Sequence, residues 1–319
     1  MTFVSVIIAL IFEQFRPLPH GNPVYAALDA AIHGLERNMN AGERRHGVIA
    51  WWILMGTTFV VMMAIQWGVG RLGFGPSLLL SVCVLFLTLG FRQFSHPFTE
   101  IQTALDAGNL AHARQTLGNW MSETYPDFAA DKLSAGEVAR YAIERALMLS
   151  HRHVFGVFFW YVLLGPTGAV LYRLSHYTAR VWSQDAQGEF AAFAQRIFGW
   201  IDWVPVRLTA IGFAIVGNFE DAMFGWRNYA SRWRDPLAGV VLAAGGGALG
   251  VRLGGGRENP IEQHAVEVGG ADSETITFDL QPGVDVEPAH LRSAVGLVWR
   301  AMVLWVLLLL LLSIASWTS

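Results

Sequence analysis

The chain has 319 residues, 53% of them hydrophobic and only 15% charged, with a formal net charge of −3. A soluble domain carries about 25% charged residues, so the composition points to a bilayer-embedded chain, and without a basic excess nucleic acid is not an expected partner. The single cysteine, Cys83, excludes an intrachain disulfide and makes no metal-ligand pattern.

Residues 1–47 open with an apolar run, Phe3 to Phe12, too short to span alone and expected to lie in the interface or against the bundle. Neither a basic region nor a small-residue cleavage site accompanies it, so no removable signal peptide is expected. Residues 48–91 read as a transmembrane hairpin. Val48 to Gly70 contains no ionisable side chain, and Phe74 to Phe91 follows after only Arg71-Leu72-Gly73. Residues 92–153 read as a soluble helical insert. Phe98, Ile101 and Leu105 share one face, as do Leu110, Ala113 and Leu117, with a turn at Gly108-Asn109. Ser134 to Glu137 forms a capping box that opens a helix carrying Val138, Ala142, Ala146 and Leu149 on one stripe.

Residues 154–219 hold two less regular membrane segments. Val154 to Leu171 is interrupted at Gly165-Pro166, where a helix must kink or stop. Trp203 to Phe219 is apolar apart from Arg207; Asp202 is placed to cap it, and Pro205 to sit in its first turn. Residues 220–298 are amphipathic and glycine-rich, with a Gly, Pro, Glu and Asp-rich loop from Gly254 to Glu287 and a candidate hairpin pairing Ala265-Val266 with Ile276 to Phe278. Residues 299–319 form a C-terminal membrane helix, Ala301 to Trp317. The expected fold is an all-α, polytopic helical membrane bundle of about five transmembrane helices, one of them broken, with a cytoplasmic helical insert. Arginine placement sets the orientation. Arg37, Arg44, Arg45, the Arg92 to Arg152 stretch, Arg227, Arg232, Arg234, Arg252 and Arg257 share one side, which is then cytoplasmic.

Several signals bear on chemistry. Gly245 to Gly250 fits GxGxxG, but an alanine-rich helix precedes it instead of a strand, so close helix packing is the better reading. The only lysine, Lys132, lacks a glycine frame, which excludes a P-loop. Ten histidines include His151-Arg152-His153, with no carboxylate at ligand spacing. Arg207 is the most informative residue. A guanidinium in an apolar segment needs a polar cavity or a carboxylate, and Asp202 lies about one and a half turns away. An anion-binding role and a structural ion pair are both open for it. Arg252, flanked by glycines, poses the same choice.

Taken in order, these stretches resemble the CobD/CbiB family, integral membrane adenosylcobinamide-phosphate synthases of cobalamin assembly, and its relative AmpE, a membrane protein tied to β-lactamase regulation. Asn22-Pro23-Val24 with Leu35-Glu36-Arg37 is similar to the family's HPV…LER stretch, and Arg44 to Val48 to the entry of its first long helix. Leu105 to Leu117 is similar to its short helical pair. Phe159-Trp160-Tyr161, Gly165 to Ala169 and Tyr172-Arg173 resemble FWY…GPPGA..YR. Trp203 to Thr209 resembles WIPARLT, and Ala248 to Gly255 the C-terminal glycine motif. Departures are equally specific. In the family's acidic block Glu144 is retained, while a second Glu, an Asn and an Asp become Met148, Leu149 and Arg152. The family's N-T-x-D becomes His176-Tyr177-Thr178-Ala179. Asp202 to Leu208 and Leu10 to Glu13 are closer to AmpE.

The resemblance implies three functions. One is an amide-forming ligase on a corrin carboxylate with an aminopropanol-type amine, with Glu144 as metal or base residue and with ATP and Mg²⁺ as cofactors only on that reading. The second is a ligand-binding or sensing membrane protein that has lost the synthase acids, holding a corrinoid or other anionic small molecule through Arg207, Arg252, Asp202, Arg173 and Tyr172. The third is a membrane scaffold without a small-molecule site. The bacterial inner membrane is the expected location and lipid a partner; the oligomeric state is left open.

Overall fold

In a computed structural model of the chain, residues 2–15, 23–40, 43–185, 189–254 and 282–318 are described. Among them the structure is helical, with one isolated bridge between Val251 and Val284. The helices are α1 (Thr2–Phe15), α2 (Pro23–Met39), α3 (Arg44–Gly70), α4 (Phe74–Thr88), α5 (Phe91–Asp106), α6 (Leu110–Ser122), α7 (Ala135–Ser150), α8 (Gly156–Leu164), α9 (Pro166–Asp185), α10 (Glu189–Val216), α11 (Phe219–Tyr229), α12 (Pro236–Leu249) and α13 (His290–Thr318). Among the described residues, four stretches are long and apolar enough to cross a membrane: Arg44–Gly70, Ala135–Leu164, Glu189–Val216 and His290–Ala315. The candidate hairpin at 265–278 lies outside the described residues.

The chain forms two compact units. The first comprises Met1–Arg92, Arg152–Pro205 and Val306–Ser319; the second comprises Gln93–His151 and Val206–Trp305. In the first unit α9 is the hub, packed by α2, α3, α4 and α8. Its Ala169, Tyr172, Thr178 and Trp182 are buried, and the Trp182 indole donates to the Ile32 carbonyl at 3.4 Å. Thr167 donates to Gln66, four residues before the end of α3, at 2.9 Å, an interhelical bond of the kind that membrane helices use in place of hydrophobic attraction. In the second unit α12 packs on α7 and α11. Gly245 and Gly247 lie inside α12. A Cβ on Gly245 would press on Leu147, and one on Gly247 on the backbone of Asp221 and Ala222. Close packing therefore uses this motif.

Several sequence expectations hold locally. Ser134 and Glu137 make the capping box, and Asn109 caps α6 after Gly108, whose φ is +71°. The helix ends at Leu164, with Gly165 at φ +63°, and restarts at Pro166. Other boundaries differ. Helix α4 has 15 residues and stops at Thr88, so its span is shorter than the apolar run suggested. The segment entering at Val154 does not begin there. A π-helical turn, His151–Phe155, joins α7 to α8 and makes one helical stretch of 30 residues.

The largest correction concerns α10. Asp202 is no cap and Pro205 is not in a first turn, because the helix starts at Glu189 and runs through both. Phe190, Ala191, Ala194 and Phe198 supply a buried stripe upstream, at helical spacing, that carries the helix back past Asp202. Pro205 has no N–H for the carbonyl four residues earlier. That carbonyl, of Ile201, accepts from the Trp160 indole at 3.3 Å instead. The tryptophan replaces the missing backbone donor.

Candidate functional site

The candidate residues divide between the two units. In the first, Tyr172 of α9 donates to Asp202 of α10 at 2.9 Å, and these side chains are 1% and 2% exposed. Burial, then the Asp202 charge, push the Tyr172 hydroxyl well above its ordinary pKa, so it remains a phenol and a donor. The Tyr172 ring lies 5.8 Å from that of Phe198, and its hydroxyl end occupies the space where a side chain at position 156 would be, which only glycine leaves open.

Arg173 follows directly. It is partly buried, and its Nε and Nη1 are out of solvent with no hydrogen-bond partner among the described residues. The charges of Arg152 and Arg173 both act on Tyr172 and on His176. His176 also feels His153 and Arg180, and its ring lies 5.1 Å from Phe198. Burial and this cationic surrounding hold the His176 imidazole well below its usual pKa. The first unit therefore gathers cationic charge around Tyr172 and His176.

Sequence reasoning named Tyr172, Arg173 and Asp202 here. It weighed Arg152 within the His151-Arg152-His153 cluster and as a lost acid, and named neither Arg152 nor His176 as a site residue. A signal was present. Arg173, His176 and Arg180 recur at spacings of three and four, a polar stripe on one face of an otherwise packed helix.

In the second unit Glu144 of α7 is buried and its Oε1 accepts the Gly254 N–H at 2.7 Å. Gly250 ends α12 in a left-handed conformation, after which the Arg252 N–H donates to the Val284 carbonyl at 2.9 Å. The Arg252 guanidinium lies 3.2 Å from Asp285, and the two side chains are 32% and 88% exposed. Glu144 thus fastens the segment that carries Arg252, and Arg252 has a surface carboxylate. Arg207 is partly buried on α10. Two residues on, Thr209 Oγ1 lies 2.8 Å from His151 Nδ1, both fully buried. Among the described residues, no group of three His, Cys, Asp or Glu could hold a metal ion.

A family model described as CobD/Cbib protein matches residues 2–280. The chain is 32% identical over 316 residues, 97% of each chain, to a cobalamin biosynthesis protein CobD of Stutzerimonas stutzeri. It is 34% identical over 192 residues, 60% of each chain, to the protein of the same description from Chromobacterium violaceum. To protein AmpE of Shigella flexneri it is 25% identical over 232 residues, 71% of this chain and 78% of that one. No solved structure matches.

Proposed function

The chain belongs to the CobD/CbiB family, and from that premise we propose that it is a bacterial inner-membrane protein of cobalamin biosynthesis that binds an anionic small molecule at an arginine-lined pocket in its first unit. Its arginine-rich polar segments face the cytoplasm on the positive-inside rule. The observation that carries the pocket is Arg173, whose guanidinium has two buried nitrogens that meet no acceptor among the described residues. Each buried N–H left without an acceptor costs about 1–3 kcal/mol, which a bound anion would offset. Arg152, where the family has an acid, adds a second cation to the surroundings of Tyr172 and His176. A carboxylate or phosphate is the complement, and a corrinoid acid of the pathway supplies one. Arg207 and Arg252 are secondary candidates, and Arg252 already has Asp285 beside it.

The test is thermal unfolding of the purified protein with and without a corrinoid carboxylate. The wild type is stabilised by several degrees. Arg173→Gln loses that response and, free of its buried charge, unfolds no earlier than wild type without ligand. An undiminished ligand response in Arg173→Gln overturns the reading.

A second reading, the amide-forming ligase, is favoured by the near-full-length match to a cobalamin biosynthesis protein. On that reading ATP and Mg²⁺ are required, and Glu144 would serve as metal or base residue. Glu144→Gln removes the charge while leaving an amide oxygen able to accept the Gly254 N–H. The ligase reading predicts that wild type restores corrin-dependent growth to a strain lacking the synthase and that Glu144→Gln does not. Equal growth of the two removes Glu144 from the chemistry.

A further inference from the structure

The outer face of α3 fixes its depth in a bilayer. Ile49, Trp52, Ile53, Phe59, Val60 and Trp67 are all exposed on it, and no ionisable residue lies between His46 and Arg71. From Ile49 to Trp67 the helix rises about 27 Å at about 1.5 Å per residue, close to a hydrocarbon core of about 30 Å. Trp52 and Trp67 stand near the two ends of that stretch, where an aromatic belt belongs. Arg45 lies four residues before Ile49, about 6 Å further out. It and Arg44 are therefore at the level of the headgroups, and Arg45, Ile49 and Trp52 share one stripe of the helix.

Charge at that level selects what meets it. Arg44 and Arg45 are exposed, and neither meets a carboxylate among the described residues. Helix α2, which packs on α3, carries the exposed Arg37 in its last turn, where the Nε donates to the His33 carbonyl of the same helix at 3.4 Å. Glu43, also exposed, offsets one of these charges, so the corner between α2 and α3 stays cationic. A headgroup with a net negative charge is the complement, whereas the ammonium of a zwitterionic headgroup in the same layer is repelled.

We infer that the corner between α2 and α3 holds a net-anionic glycerophospholipid of the adjoining leaflet, with its phosphate on Arg44 and Arg45 and its chains along Ile49, Trp52 and Ile53. The inference goes beyond the anion pocket and does not rest on it.

The probes are phosphatidylglycerol and phosphatidylcholine with the same acyl chains, offered in equal amounts to the full chain purified in detergent. Retained lipid is counted by native mass spectrometry. Wild type retains phosphatidylglycerol several-fold over phosphatidylcholine, and the ratio falls as salt is raised. Arg44→Gln with Arg45→Gln brings the ratio close to one, with the melting temperature in phosphatidylcholine unchanged. Arg71→Gln removes one charge at the other end of α3, where the guanidinium lies 3.6 Å from the centre of the Trp67 ring, and keeps the ratio. Arg45→Gln, which also removes one charge, lowers it. Glycerophosphoglycerol, the same headgroup without chains, does not displace the lipid. A ratio near one in wild type, an undiminished ratio in the double variant, or an equal fall in Arg71→Gln and Arg45→Gln overturns the inference. Displacement by the chain-free headgroup also overturns it, by making the ligand a soluble anion. Arg173→Gln keeps the lipid ratio whether or not it loses the corrinoid response, so the failure of one site is told apart from the failure of the other.

Discussion

Gly156→Ala is expected to destabilise the first unit by about 3–5 kcal/mol, the sum of an overpacking term and a lost hydrogen bond at a buried carboxylate. One methyl group at position 156 would land on the hydroxyl and adjoining ring carbon of Tyr172. The ring cannot retreat freely, because Phe198 lies 5.8 Å from it and the residue is 1% exposed. To make room, Tyr172 must swing its hydroxyl off Asp202, which then loses a donor while staying buried. Tyr172→Phe alone removes the donor but adds no bulk, so its cost is smaller, about 1.5–3 kcal/mol. In the double variant the phenyl ring lacks the oxygen that the alanine methyl would strike. The two costs should therefore fall short of additivity by at least about 0.5 kcal/mol. Unfolding in detergent of the wild type, both single variants and the double variant measures that coupling. Strict additivity would mean that the methyl is accommodated elsewhere and that Gly156 does not position Tyr172.

The features legible in the sequence were those set by local rules. The capping box at Ser134 and Glu137 needs only residues three positions apart, and the stop at Gly165-Pro166 only two adjacent ones. Long apolar runs revealed the membrane class because hydrocarbon imposes a minimum length on any span. Legibility failed where a distant partner replaced a local one. Pro205 looked like the start of a helix because its missing donor should break an interior turn, and nothing in the neighbouring sequence says that Trp160 supplies the substitute. The π turn at His151–Phe155 likewise leaves no compositional mark, so the α7 and α8 stretches read as separate elements. The site followed the same division. Arg173 was visible as a cation beside a motif tyrosine. That its nitrogens are buried, that Tyr172 donates to Asp202, and that Glu144 anchors Gly254 are all consequences of packing.

Acid is the condition under which the cationic cluster should show itself most strongly. Burial and the charges of Arg152 and Arg173, with smaller effects from His153 and Arg180, depress the folded-state pKa of His176. In the unfolded chain the same imidazole takes its proton near about pH 6.5. Below that pH the unfolded state binds a proton that the folded state refuses, so stability falls as pH falls. The loss runs from about 6.5 down to the folded pKa, at up to about 1.4 kcal/mol per pH unit. Denaturation midpoints of wild type between pH 7 and pH 5 should trace that slope, and His176→Phe, which keeps a ring beside Phe198 but cannot titrate, should lose one proton's share of it. An anion at Arg173 and Arg152 changes the outcome in a defined direction. By offsetting the cations that oppose imidazolium it raises the His176 pKa and flattens the slope, so wild type in saturating corrinoid carboxylate should resemble His176→Phe more than wild type alone. Equal slopes for wild type and His176→Phe would place the acid sensitivity on other groups, and a slope indifferent to the ligand would mean that the anion does not reach this cluster.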